Sequence, residues 1–326
     1  MSKLHRIIKE EISRFLGEVA GTPKSIEGYV EEIEKEFTPL FMEYIDTMVH
    51  NGMSNYDMKE IVDFKYFNED FPMDKLKMQI EITINPNIDG VVFEGGINSK
   101  NLRDKDGRIN PTMSVSVQAN PEVSKEKVEY ELDSFLTHEV THLYELYKRG
   151  GKWGDKSKFL NYVTTQEINK NYPDVWKYLL ISMYETIDHE VNARVSQVAK
   201  KAQKLKGNGM DSKSILEKIK SEEEWEILEK WESFSPAFYI GHVKRFLDQS
   251  GYAKKGVDYK KFINAYKKNI ATTFDNENME LTGDEIKFLN QTEDMGADEF
   301  LSHWEKVFKR EAKGYRRKML KAMGSV

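Results

Sequence analysis

Apolar residues recur at every third or fourth position along most of this chain, which is the spacing of amphipathic helices. The first such stripe lies near the start of the chain and ends before Gly21 and Pro23. It consists of Leu4, Ile7, Ile8, Ile12, Phe15, Leu16 and Val19. A second helix is predicted over residues 25–50, with a kink before Pro39. We interpret both helices as packing or docking elements.

The period then changes to two, which predicts β-strands. Residues 76–84 alternate between apolar and polar side chains and end before Asn85 and Pro86. Residues 113–119 alternate in the same way, and the apolar run at residues 91–93 predicts a further short strand. A small sheet is therefore expected between two helical parts of the chain.

From residue 124 onward the spacing is helical again. The predicted helices cover residues 124–148, 157–171, 174–205, 212–231, 236–249, 258–273 and 297–322. Gly207 and Gly209 mark the clearest linker. Helices, then a small sheet, then helices predict an α+β fold. We divide the chain into an N-terminal helical segment (1–60), a core (61–205) and a C-terminal helical region (210–326).

Composition narrows the classes of function. The 326 residues carry a formal net charge of -6, which gives no general attraction to nucleic acid or to an acidic membrane. No apolar run approaches the ~18 residues of a membrane span, and no secretory signal is visible. We therefore expect a cytoplasmic protein, or one packaged in a virion if a phage encodes it. Cysteine is absent, so any metal must be held by His, Asp or Glu.

The pattern that carries chemistry is His-Glu-x-x-His, formed by His138, Glu139 and His142. On a helix, residues four apart lie on one face, so both imidazoles can reach one metal ion. Both histidines flank an apolar stripe, and Glu139 lies within it. A carboxylate on an apolar face is costly unless something compensates it, and a metal site provides that compensation. The alternative is an ordinary helix whose histidines border a core.

This segment resembles the zincin metallopeptidases, because Leu136, Val140, Thr141 and Leu143 keep the motif's surroundings uncharged. The resemblance covers about residues 75–205 and implies a zincin-like core with a small sheet packed on the motif helix. It also implies Zn²⁺ as the cofactor, Glu139 as the general base towards a zinc-activated water, and a peptide or protein as the substrate. The Glu-x-x-Ala form of residues 190–193 also resembles the third-ligand segment of several compact phage- and bacteria-type zincins.

A third protein ligand is needed. The Gly and His of the metzincin continuation do not follow His142, so the sequence resembles the gluzincins, where a later helix supplies a glutamate. Glu190 is the best candidate because it lies beside the apolar stripe of its helix. Its alternative role is a surface pair with Arg194. The reserve candidates are Glu185, Asp188 and His189, and we expect Glu185 and His189 to point away from that stripe.

Several further residues are candidates for supporting roles. Arg194 could orient Glu190 or stabilise an oxyanion, and Tyr239 or His242 could also supply an oxyanion donor, although structural roles are more usual. We expect residues 114–118 to be an edge strand that binds an extended peptide.

A second hypothesis is a zinc-stabilised structural or assembly protein without turnover, such as a phage particle component. The terminal helices would then bind a protein partner. The last helix is basic, through Lys306, Lys309, Arg310, Lys313, Arg316, Arg317, Lys318 and Lys321. A solvated face is the usual role of such a run, and an anionic partner is the alternative. Against the scaffold hypothesis, a purely structural zinc has no use for Glu139.

Overall fold

The computed structural model describes residues 24–66, 68–98, 109–148, 173–275 and 294–324. Within them the helices are α1 (Lys24–His50), α2 (Lys125–Lys148), α3 (Asp174–Glu185), α4 (Asp188–Gly207), α5 (Ser212–Ile219), α6 (Glu223–Ser233), α7 (Pro236–Gln249), α8 (Tyr259–Asp275) and α9 (Ala297–Gly324). The strands are β1 (Asn55–Asp63), β2 (Lys75–Ile84), β3 (Val91–Asn98) and β4 (Thr112–Ala119), and a short 3₁₀ helix covers Ala253–Lys255. The predicted α+β class is confirmed.

The four strands form one mixed sheet in the order β1-β2-β4-β3. Strand β2 pairs antiparallel with β1 and parallel with β4, while β3 pairs antiparallel with β4. The alternation of the sequence decides which face is buried. Met78, Ile80, Val115 and Val117 point into the core, and the polar residues between them are exposed.

Helices α1 and α2 pack against each other, α1 also contacts β1 and β2, and α2 contacts β3. Aromatic rings link these elements. The ring of Phe93 in β3 lies 5.5 Å from Phe41 of α1 and 5.9 Å from Phe135 of α2, measured between ring centroids. This packing fixes α2, the helix that carries the His-Glu-x-x-His motif, beside the outer strand β3.

The structure corrects the predicted role of residues 114–118. They belong to β4, which is paired on both sides by β2 and β3. A strand in the interior of a sheet has no row of backbone groups left for a peptide. The prediction of an edge strand there is therefore wrong, because the short run at residues 91–93 extends to Asn98 and covers that edge.

Other element predictions differ in detail. Strand β1 was missed, and the helices predicted over 174–205 and 212–231 are each two helices. The first break lies at Thr186, whose backbone N–H and side-chain hydroxyl both bond the carbonyl of Met183. These i-to-i−3 contacts tighten the last turn and end α3. The predicted helices over residues 4–19 and 157–171 lie outside the described residues.

The chain divides into two compact units. One contains the sheet, α1, α2, α4 from Asn192 onward and the end of α9 from Lys318. The other contains α3, the first turn of α4, α6 to α8 and most of α9. Its core is aromatic, with Trp176 packed on Phe262 at 5.1 Å and Phe234 packed on Phe308 at 4.9 Å. The division of the sequence at residues 60 and 210 stays a prediction.

None of the helices in the described ranges is long and apolar enough to cross a membrane.

Candidate metal centre

Helix α2 places its two histidines on one face, one turn apart. The Nε2 atoms of His138 and His142 are 2.9 Å apart, and their rings meet edge to face with centroids 4.4 Å apart. The helix is held in this orientation by a buried stripe that includes Leu132, Leu136 and Leu143. Both side-chain nitrogens therefore converge on one point beside the helix.

Glu139 lies between these histidines and is 7% exposed. The sequence predicted a buried position for this carboxylate, and the structure confirms it. Burying a carboxylate is costly, so the surroundings of this side chain have to compensate its charge.

The structure places Glu190 in the first turn of α4, directly after the break at Thr186 and Ile187. It is 2% exposed. The hydroxyl of Tyr184 donates a hydrogen bond to its Oε1 atom, and Nε2 of His189 lies 3.5 Å from the same oxygen. The carboxylate is thus held by its own neighbours in sequence.

His138, His142 and Glu190 each offer one ligand atom, and all of these atoms lie within 4.8 Å of one another. Tetrahedral zinc with bonds of about 2.0–2.1 Å requires ligand atoms about 3.3 Å apart. The ligand atoms of the three residues lie within about 1.5 Å of that separation. Two imidazole nitrogens and a carboxylate oxygen are also donors that suit a divalent metal ion. The group can therefore hold a metal ion.

Gln197 is a residue of this centre that sequence reasoning missed. Its Oε1 atom lies 3.0 Å from Nδ1 of His138. Its Nε2 atom donates to the backbone carbonyl and to the hydroxyl of Ser134, each at 3.2 Å. Helical phase was the available signal, because Gln197 lies seven residues after Glu190 and thus on the same face of α4.

The structure also corrects the predicted orientation of two reserve candidates. Glu185 and His189 were expected to point away from the buried stripe, but they are 5% and 2% exposed. The helical phase used for that prediction does not continue across the break at Thr186. Glu185 instead forms a part-buried ion pair with Nζ of Lys230 at 3.2 Å. Asp188 is exposed.

Tyr239 and His242, the candidates for an oxyanion donor on α7, make contacts of different kinds. The hydroxyl of Tyr239 donates to the backbone carbonyl of Val175 at 2.6 Å, and burial raises the pKa of this phenol. Its role is therefore structural. His242 packs against Phe238, with ring centroids 4.4 Å apart. The role of Arg194 stays a prediction.

One residue of the basic C-terminal helix is engaged near the motif helix. Nζ of Lys318 donates to Oδ1 of Asn192 at 2.9 Å, and Nδ2 of Asn192 donates to Oε1 of Glu145 at 2.7 Å. Glu145 lies one turn after His142 on α2. Lys318 therefore belongs to a structural network, whereas Lys306, Lys313 and Arg317 lie on the exposed face.

Comparisons with known protein families, with curated proteins and with solved structures found nothing that matches this chain. The zincin resemblance thus stays a prediction from the sequence, and the candidate metal centre rests on its own geometry.

Proposed function

We propose that this chain is a zinc-dependent hydrolase that cleaves peptide bonds. The observation that carries the proposal is the convergence of His138, His142 and Glu190 on one point, next to a buried carboxylate. The two histidines and Glu190 would hold the metal ion, and Glu139 would act as the general base.

The donor set supports zinc and a catalytic role. Catalytic zinc sites use three protein ligands and leave one position open, whereas structural sites fill all four. The chain has no cysteine, the usual ligand of structural zinc. A His₂Glu set is one of the known catalytic combinations.

A bound zinc ion would supply Lewis acidity, which lowers the pKa of a water ligand and polarises the scissile carbonyl. The proton transfers would be carried out by the chain's own residues. Glu139 would accept the proton of the attacking water and later deliver it to the leaving amine nitrogen. Its side chain is 7% exposed, so the carboxylate is largely shielded from bulk water.

Strand β3 supports a peptide as the substrate. The carbonyl of Gly90 accepts from the N–H of Asn120, and bonded pairs alternate along an antiparallel ladder. Val92 and Glu94 are therefore bonded to β4, while Val91, Phe93 and Gly95 turn their backbone groups the other way. Among the described strands β3 pairs with β4 only, and it lies beside α2. An extended peptide could add to this edge by backbone hydrogen bonds.

The test compares the native chain with Glu139→Gln. Elemental analysis should find about one zinc per chain in both, because Glu139 is not a ligand. Chelator-sensitive cleavage of a peptide library should fall by at least ~100-fold in the variant, the lower end of what a positioned acid or base contributes. The matched control is Glu131→Gln on the same helix, whose carboxylate pairs with Lys127 at the surface and whose replacement should leave cleavage unchanged.

Equal cleavage by the native chain and Glu139→Gln would contradict the assignment of the base. Zinc bound in both, with no cleavage of any library peptide by either, would favour the structural or assembly protein. Absence of bound metal after zinc is supplied to the metal-free chain would contradict both.

A further inference from the structure

His138 makes different contacts through its two ring nitrogens. Nε2 faces Nε2 of His142 at 2.9 Å, on the side of the metal centre. Nδ1 lies 3.0 Å from Oε1 of Gln197, on the side of helix α4. A neutral imidazole carries one proton, so the partner of Nδ1 decides which nitrogen is left to bind a metal.

The orientation of the Gln197 amide follows from its second contact. Its nitrogen lies 3.2 Å from the backbone carbonyl of Ser134, and a carbonyl oxygen only accepts hydrogen bonds. The NH₂ group must therefore face Ser134. The amide oxygen then faces His138, where it too can only accept.

An acceptor at that distance requires a donor on the ring. Nδ1 of His138 thus carries the proton, and the lone pair of the imidazole lies on Nε2. We infer that Gln197 is a positioning residue that selects this tautomer and fixes the ring plane, so that His138 presents Nε2 to the metal. This inference rests on the proposed metal centre, but it makes a claim about the metal-free chain as well.

The Gln197 side chain is a neutral amide, and this affects the charge around the proposed metal site. A carboxylate in the same place would add a negative charge, draw the Nδ1 proton towards itself and make the imidazole a stronger donor. The amide orients the ring without adding charge. Glu190 therefore remains the one anionic ligand, and the Lewis acidity of a bound metal is preserved. Gln197→Glu should bind zinc at least as tightly as the native chain.

The first experiment measures zinc affinity by competition with a chromophoric chelator. Gln197→Met keeps the length of the side chain and removes both hydrogen bonds, so affinity should fall about 10–100-fold, as for other residues that orient metal ligands. Gln203→Met is the matched control, because Gln203 is exposed on the same helix. It should stay within about twofold of the native chain, as exposed positions usually do. Native affinity in Gln197→Met would overturn the inference.

The second experiment needs no metal and no activity. Long-range ¹H–¹⁵N spectra of the metal-free chain report which imidazole nitrogen is protonated. The native chain and Gln203→Met should show His138 protonated at Nδ1, and Gln197→Met should lose that preference. An Nε2–H tautomer in the native chain would overturn the inference, even if Gln197→Met fails to fold. The NMR experiment measures the protonated nitrogen of His138 and does not depend on cleavage. A wrong tautomer assignment can therefore be distinguished from a wrong assignment of hydrolase activity.

Discussion

The carboxylate of Glu190 is oriented by hydrogen bonding within its own stretch of chain. Tyr184, six residues earlier, donates its hydroxyl to Oε1 across the break between α3 and α4. His189 lies next to the same oxygen. A carboxylate held in this way would lose less side-chain entropy on binding a metal ion, because part of its freedom is already lost.

Tyr184→Phe removes that hydrogen bond and keeps the ring. We expect zinc affinity to fall about 10-fold, the lower end of the range for residues that orient a ligand. Competition titration measures it. Tyr252→Phe, at a ring that is 45% exposed, is the matched control and should bind zinc as the native chain does. Unchanged affinity in Tyr184→Phe would mean that Glu190 is oriented by other contacts.

Replacing Glu190 and replacing Glu185 by alanine should change different properties of the protein. Glu190→Ala deletes a proposed ligand, so zinc affinity should fall by more than about 100-fold, beyond the effect of residues that only orient a ligand. Glu185→Ala leaves Lys230 without its buried partner, so it should lower the free energy of unfolding by about 1–3 kcal/mol. Its zinc affinity should be retained. Zinc-competition titration measures the loss of affinity, and denaturant unfolding measures the loss of stability.

The reverse result, with zinc affinity lost in Glu185→Ala and kept in Glu190→Ala, would exchange the two assignments.

The residues of the centre differ in how far sequence could predict them. His138, Glu139 and His142 depend on spacing within one helix, which is local information. The position of Glu190 beside the two histidines agrees with its helical phase within α4, and its role as a ligand stays a prediction. Gln197 was missed although it shares a helix face with Glu190, because a neutral amide has no distinctive chemistry in the sequence and His138, its partner, is 59 residues away. Its role appears only once α2 and α4 lie side by side.

At the scale of elements, the contact between α2 and β3 depends on a glycine. A Cβ atom at Gly95 would lie 2.2 Å from the carbonyl oxygen of Ser114 and 3.2 Å from the ring of Phe135. Neither neighbour can move easily, since one is backbone of the adjacent strand and the other is packed in the core. Glycine in a strand often marks such a close approach.

Gly95→Ala should therefore destabilise the protein by about 1–3 kcal/mol, the usual range for an extra carbon in a packed site. Gly96→Ala is the neighbouring control, because nothing lies within 4 Å of the Cβ it would add. It should be neutral within about 0.5 kcal/mol. Denaturant midpoints measure both changes, and equal midpoints for the two variants would contradict the packing described for β3.

Strand β1 shows why part of the sheet escaped prediction. Met58 and Val62 point into the core, but Glu60 lies on the same side between them, and Ile61 is 56% exposed on the other side. The hydrophobic pattern therefore does not alternate, although the backbone does. The helix breaks were missed for a related reason, since no glycine or proline lies near Thr186 to mark the first of them.

At the scale of the whole molecule, charges inside the sheet-containing unit tie three helices together. Asp133 of α2 is 3% exposed and lies 4.0 Å from Nζ of Lys200 in α4. Lys200 also lies 3.9 Å from Glu27 of α1, and Lys204 lies 3.6 Å from Glu34. Burial raises the pKa of Asp133 and of Glu34, and the two lysines offset only part of that rise.

This cluster predicts a definite pH dependence. A carboxyl group with a raised pKa in the folded state binds more protons there than in the unfolded chain, between its two pKa values. The free energy of unfolding should therefore fall as pH rises from about 4, the unfolded value, through the raised pKa. Asp133→Asn should weaken that fall, because the amide does not titrate. Denaturant unfolding at a series of pH values measures the difference between the two chains.

Asp46→Asn is the control for this series, since Asp46 is exposed on α1. It should follow the native curve. An Asp133→Asn curve parallel to that of the native chain would show that Asp133 does not contribute to the pH dependence.

Helix α4 carries Glu190, Gln197 and the two lysines of the cluster along one unbroken stretch. Seven residues are close to two helical turns, so Glu190 and Gln197 stay on one face about 10.5 Å apart. Inserting a single residue between them would rotate one against the other by about 100° and separate the proposed ligand from the residue that we propose orients His138. Related chains that keep the centre should therefore vary in length near Gly209, where a turn follows the helix, and not between residues 190 and 197.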